Sequence, residues 1–225
     1  MEGPEAEGYT GRMATLVAEP ASPVARPVPP LLNGDRLTRA EFECRWDLHP
    51  EVKRAELIDG EVYIDMSVSR SHGNGHIVLA TWAGTYASKH ADVDVVADAT
   101  VRLLGDNDPQ PDVALRRRDG GSSSIGEDDH VEGPPELVIE VSASSASYDL
   151  HKKLPLYERS GVGEYVVWQL YEERIDWFRL IDGKYVTIEP DAEGIVESSV
   201  FPGLRLDVPK ALAGDLAGVL AALAR

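Results

Sequence analysis

The amino-acid sequence reads as an α/β protein of the mixed, α+β kind, and three observations carry that reading. Short stretches such as DVDVV, PDVAL, ELVIEV and EYVVW alternate apolar with polar residues or run together as Val, Ile and Leu, as strands do. Between them lie segments with helical spacing of apolar residues, IVLATWAGTY and LHKKLPLYERS. Asp59-Gly60 and Asp182-Gly183 each separate two alternating runs, the pattern of a tight hairpin. The resulting order is helix, hairpin, helix, three strands, helix, then more strands.

Residues 1–34 lack helical or strand periodicity, and Pro20, Pro23, Pro27, Pro29 and Pro30 crowd their second half. They are expected to form a disordered or extended tail, followed by a single domain over residues 35–225. Thr38 and Glu41 have capping-box spacing, so a short helix is predicted from Thr38. AELIDGEVYIDMS is the first hairpin, with Glu56 at the start of its first strand. The next helix is expected to begin past Gly73 and Gly75, with Ile77, Trp82 and Tyr86 facing the core. DVDVVADATVRLL is read as one long or bent strand, and PDVALRRR as another, carrying Asp112 and ending in Arg116, Arg117 and Arg118.

Residues 119–136 contain neither Lys nor Arg and are rich in Gly, Ser and acids. They are expected to form a mobile acidic loop beside any site shared by the flanking strands. ELVIEV follows, with Glu140 between Ile139 and Val141; then comes the helix of Lys152 and Lys153, with Gly161 as its stop. EYVVWQL, a second hairpin, the turn PGLRLDV and an alanine-rich helix complete the chain. That last helix reads as packing or as a dimer contact.

The formal net charge of −17 argues against a tight, non-specific binder of nucleic acid, although it leaves room for local basic patches. The single Cys44 rules out an intrachain disulfide. No apolar run reaches the ~20 residues of a membrane span, and the first residues lack the basic start and apolar block of a secretory signal. A cytoplasmic protein without membrane contact is expected.

Asp112 and Glu140 are the residues that ask for chemistry. Each stands in a strand of Val, Ile and Leu, where an uncompensated carboxylate costs several kcal/mol. A hard divalent cation, Mg²⁺ or Mn²⁺, would compensate, and such an ion keeps open positions for phosphate oxygens. Two carboxylates, a metal and a nearby ammonium suit phosphodiester hydrolysis. Leu150, Lys153, Leu154 and Tyr157 share one helix face, whereas Lys152 points about 100° away. Lys153 is therefore the first choice for the ammonium and Lys152 the fallback. Pro155 requires either a helix start near Lys152 or an irregular first turn. His72 and His76 have the four-residue spacing of a helical metal pair, but no third soft ligand lies nearby in sequence. They read first as histidines that begin the helix or touch substrate. Arg116 and its neighbours read either as phosphate contacts or as a solvated strand end.

PDV, ELVIEVSASS and DLHKKLPLYERSGVGEYVV, with ELIDGEVYIDMS upstream and FPGLRLDV downstream, resemble the Uma-type putative restriction endonuclease family of the PD-(D/E)XK nuclease superfamily. The resemblance implies a restriction-endonuclease-like mixed central sheet flanked by helices, with an N-terminal helix and hairpin. It also implies that Glu56 joins Asp112 and Glu140 as a metal ligand; the residues alone allow a solvated strand-end carboxylate. In the superfamily the lysine stands two residues after the glutamate, where this chain has Ser142; as in the family, Lys153 from the following helix takes that role. His72 matches a family histidine before the helix. Gln169 departs from an acid the family often carries. The implied activity is that of a divalent-metal-dependent endonuclease acting on nucleic acid, DNA first, with homodimerisation as one way to cut both strands. Asp112, Glu140, Lys153 and Glu56 would be catalytic, and His72, Arg116 and Lys152 would contact substrate. The net charge, the acidic loop and Gln169 support the alternative of an inactive descendant that binds proteins or regulates.

Overall fold

The computed structural model describes residues 28–64, 69–143 and 145–223. Most of the expected tail lies outside these residues, but Leu31 is already buried against the first hairpin and helix. In chain order the helices are α1 (Arg39–Asp47), α2 (Arg70–Ala87), α3 (Ala146–Tyr148), α4 (Leu154–Ser160), α5 (Val208–Leu212) and α6 (Leu216–Ala222). The strands are β1 (Ala55–Ile58), β2 (Glu61–Ile64), β3 (Val93–Ala97), β4 (Val101–Arg102), β5 (Val113–Arg117), β6 (Ser124–Ile125), β7 (Val131–Glu132) and β8 (Leu137–Ser142). They continue with β9 (Glu164–Gln169), β10 (Arg174–Ile181), β11 (Lys184–Thr187), β12 (Ile195–Glu197) and β13 (Arg205–Asp207). Among the described residues no helix is long and apolar enough to cross a membrane.

The centre is a six-stranded mixed sheet in the order β11-β10-β9-β8-β5-β3. All its pairings are antiparallel except that of β8 with β9. Every residue of β8 and β9 is buried, which explains their nearly continuous apolar runs. A parallel neighbour cannot be reached by a tight turn, so the chain crosses over through α3, a π-helical turn at Asp149–Lys153, and α4. Pro155 has no N–H to donate, and the helix widens just before it and restarts at Leu154.

Alternation along β8 divides the core. Leu137, Ile139 and Val141 pack with Leu79 and Trp82 of α2 and with Val219 of α6. Val138 packs on the other face with Leu156 and Tyr157 of α4. Glu140 and Ser142 share the α4 face by the two-residue period, so the crossover comes down on a carboxylate and not only on apolar groups. A smaller third cluster joins Phe42 of α1 to Ala55, Leu57 and Val62 of the β1–β2 hairpin.

Several expectations hold in detail. Thr38 caps α1 through its side chain, which accepts from the Glu41 N–H. Asp59-Gly60 and Asp182-Gly183 have positive φ at both residues, as a tight hairpin turn requires. Val219 and Ala222 of α6 face inward, as its packing role requires.

Others are corrected. The stretch read as one long or bent strand is two: it breaks at Asp98 (φ 53°), and β4 leaves the main sheet to pair in parallel with β7. Residues 119–136 are not simply a loop: β6 and β7 join β4 in a three-stranded sheet, and the Glu136 carboxylate accepts from the N–H groups of Arg117 and Ser122. Helix α2 starts before its glycines, capped by Ser69, and Ile77 points outward at 60 % exposure.

Gly75 is buried because α2 comes very close to β8 there. A Cβ at Gly75 would stand 2.9 Å from Val141 Cγ1 on a stiff, β-branched side chain of the central sheet. Gly84, on the exposed side of the same helix, has nothing within 4 Å of its Cβ position. Overpacking costs about 1–3 kcal/mol, against which a helical Gly→Ala change returns at most about 1 kcal/mol. Urea denaturation is therefore expected to show Gly75→Ala destabilising by about 1–2 kcal/mol and Gly84→Ala stabilising by about 0.5–1 kcal/mol. Equal shifts would show that helix propensity alone operates at both places.

Candidate active site

Where β1, β5, β8, the start of α2 and the crossover meet, the surface opens into a cleft of about 530 Å³. Arg54, Glu56, His72, Asp112, Glu140 and Lys153 line it, with Tyr63, Tyr148 and Asp149 among the other walls.

Asp112 immediately precedes β5 and is 1 % exposed. Its Oδ2 accepts from the Val141 N–H of the adjacent strand at 2.7 Å, which fixes the carboxylate across the β5–β8 pair. Its Oδ1 lies 3.3 Å from the Arg54 guanidinium and 3.4 Å from His72 Nε2. Burial alone would raise this carboxyl, but His72, the Val141 N–H and Arg54 prevail and hold it at about 2. The contact with Asp112 raises the His72 imidazole in turn, against its partial burial.

Glu140 and Glu56 belong to another cation. Lys153 Nζ lies 2.8 Å from Glu140 Oε1, 2.8 Å from Glu56 Oε1 and 3.8 Å from Asp149 Oδ1. Glu56 also accepts from the Gln110 N–H at 2.6 Å and from the Tyr148 hydroxyl at 3.1 Å. Glu140 accepts from the Tyr157 hydroxyl at 3.2 Å, and Asp149 from the Ser142 hydroxyl at 2.6 Å. Burial pushes the Glu140 carboxyl well up, opposed by Lys153 and reinforced by the surrounding acids. Burial works against the Lys153 ammonium as well, but Glu140, Glu56 and Asp149 outweigh it and keep the charge in place.

The structure thus brings Asp112, Glu140, Glu56, Lys153 and His72 to one cleft. Glu56 is buried and bonded, so it is no solvated strand end. Lys153 points inward as its helix face required, and Lys152 is exposed, bearing on the Tyr63 phenol. Arg116 is not brought to the cleft. It is 5 % exposed, with its guanidinium taken up by Asp94 at 3.2 Å and by the side chain and carbonyl of Ser123 at 3.1 Å. Gln169 donates to Asp176. No residue of the 119–136 segment lines the cleft.

Arg54, Asp149 and Tyr148 were not singled out from the sequence, although signals for two of them exist. Arg54 stands two residues before Glu56, on the same side of an extended chain, and Asp149 stands four before Lys153. Arg54 is held by the Gln110 carbonyl at 2.7 Å and by Asp98 at 3.0 Å, both reached only through the fold.

For a metal ion, Asp112 offers an ionised, buried oxygen at the cleft wall, the donor that a divalent cation prefers. The three expected carboxylates do not form a ready ligand set, because Lys153 holds two of them. Among the described residues the one group of three side chains whose possible ligand atoms all come within 4.8 Å of one another is His72, His76 and Asp112.

Removing the ammonium should expose its structural share. Breaking a buried ion pair by deleting one partner typically costs about 3–5 kcal/mol. Lys153→Met is expected to destabilise by that order, and adding Glu140→Leu should recover part of the loss. Equilibrium unfolding of the two variants checks this; strictly additive losses would mean that Lys153 and Glu140 are not coupled.

A family model described as "Putative restriction endonuclease" (Uma2) matches residues 39–209. Among solved structures the chain is similar to "a putative nuclease belonging to DUF820" from Anabaena variabilis, with 15 % identity and a TM-score of 0.59 over 83 % of this chain and 99 % of that one. At that identity the likeness establishes a shared fold. No curated protein matches significantly.

Proposed function

The chain belongs to the Uma2 family of putative restriction endonucleases, and on that premise we propose that it is a divalent-metal-dependent endonuclease hydrolysing phosphodiester bonds of nucleic acid, with DNA as the first substrate to test. One observation carries the reading: Asp112 and Glu140, from neighbouring strands, face the same cleft beside the buried Lys153 ammonium.

Asp112 would hold Mg²⁺ or Mn²⁺, and Glu140 and Glu56 would join it by giving up part of their contact with Lys153; the ion would supply charge stabilisation at the phosphoryl oxygen and a more acidic water. Lys153, held charged by its acids, orients a nucleophilic water and offsets negative charge developing at phosphorus. Arg54 presents a permanent charge at the cleft wall, where it can meet a phosphate oxygen. His72 stands beside Asp112, within reach of the same substrate group. The neutral phenols of Tyr148 and Tyr157 donate to Glu56 and Glu140 and keep those carboxylates aimed.

A second reading, a non-catalytic descendant that binds proteins, draws on one observation. Lys153, Arg54 and His72 already face the buried acids of the cleft, so each acid has a counter-charge within the protein. Replacing Asp112 by Asn separates the two. As a nuclease, the protein should lose metal-dependent cleavage of a mixed pool of single- and double-stranded DNA and RNA by a factor of 10³ or more, on the order of a lost charge-stabilising group. Cleavage by the parent that survives Asp112→Asn would reject the site assignment. Absence of cleavage by the parent with Mg²⁺ and with Mn²⁺ would favour the binding module.

A further inference from the structure

The histidine pair at the start of α2 is not used by this reading beyond His72, and it has a geometry of its own. His72 and His76 lie one turn apart on the same helix face, with ring centroids 6.1 Å apart. Gly75, between them in sequence, lets the helix press onto β8 at Val141, the residue whose N–H holds Asp112. The approach that needs glycine therefore also carries both imidazoles up to that carboxylate. All three ligand atoms fall within 4.8 Å of one another, and Asp112 is buried while both histidines are half-buried.

The His72–Asp112 contact is informative by its length. At 3.4 Å it is longer than a well-formed hydrogen bond. Two imidazole nitrogens and one carboxylate oxygen are the donors of a borderline transition ion, whereas Mg²⁺ and Ca²⁺ take oxygen ligands. Three protein ligands beside an open cleft also leave a position for water or substrate.

We propose that His72, His76 and Asp112 form a binding site for a first-row transition cation such as Zn²⁺ or Co²⁺. The site shares Asp112 with the proposed catalytic centre and does not need nuclease activity to exist. The Arg54 charge, 3.3 Å from the shared carboxylate, opposes a second cation. That places the affinity below that of a closed structural zinc site.

The test is a Co²⁺ titration of the full chain, read by visible absorption and calorimetry, on the parent, His76→Gln, His76→Ala and a control, His130→Gln, which removes a surface histidine beside Asp128. The parent and the control are expected to bind one Co²⁺ with a nitrogen-ligand spectrum. Both His76 variants, checked by circular dichroism for folding, should bind at least about tenfold more weakly. No saturable spectrum in the parent, an unchanged spectrum in both His76 variants, or loss of the spectrum in His130→Gln would overturn the site. Cleavage assays on the same samples keep the two readings apart. Asp112-dependent cleavage with unchanged Co²⁺ binding in the His76 variants rejects the histidine site and retains the nuclease. His76-dependent binding without cleavage by the parent under any ion rejects the nuclease and retains the site.

Discussion

The architecture depends on one buried cation. The Lys153 ammonium touches Glu56 from the first hairpin, Glu140 from the central sheet and Asp149 from its own helical turn. Each acid would be costly in the interior alone, and together they would repel. With the ammonium among them, three separately built parts of the chain share one electrostatic joint. The hairpin is fastened to the sheet at this joint, with the Tyr148 hydroxyl and the Gln110 N–H adding direct bonds to Glu56.

Much of this was legible because it is local. Asp59-Gly60 and Asp182-Gly183 announce hairpins through a backbone conformation few other pairs adopt, and Thr38 announces a helix by capping it. Asp112 and Glu140 stand out as charges in apolar strands, and the inward face of Lys153 follows from helical spacing. What escaped depends on contacts between distant residues. Asp98 breaks a run whose alternation continues on both sides, and only the pairing of β4 with β7 shows why. The acidic segment 119–136 looked solvent-bound, yet Val131 finds a buried place beside Val101. Arg116 looked available to phosphate until Asp94 and Ser123 closed around it. The cation beside Asp112, Arg54, comes from a segment 58 residues away.

The acidic balance of the chain and the chemistry of its cleft are separate matters. The formal net charge of −17 describes an average, while the cleft gathers Arg54, His72 and Lys153 around its acids. Those cations are already engaged, so any anionic ligand would have to compete with carboxylates for them. The same engagement gives each buried acid of the cleft a counter-charge within the protein, so a stable fold says nothing for or against catalysis.

The single parallel step in the sheet has a consequence for how the chain is made. Lys153 lies in the crossover that links β8 to its parallel partner β9, so the segment that makes the parallel step possible also carries the counter-charge to Glu140. Desolvation of the acid and arrival of its counter-charge are thus one event in folding, set by closure of a single loop. The charge that would make β8 a poor partner for another apolar strand is the same one that anchors the cleft.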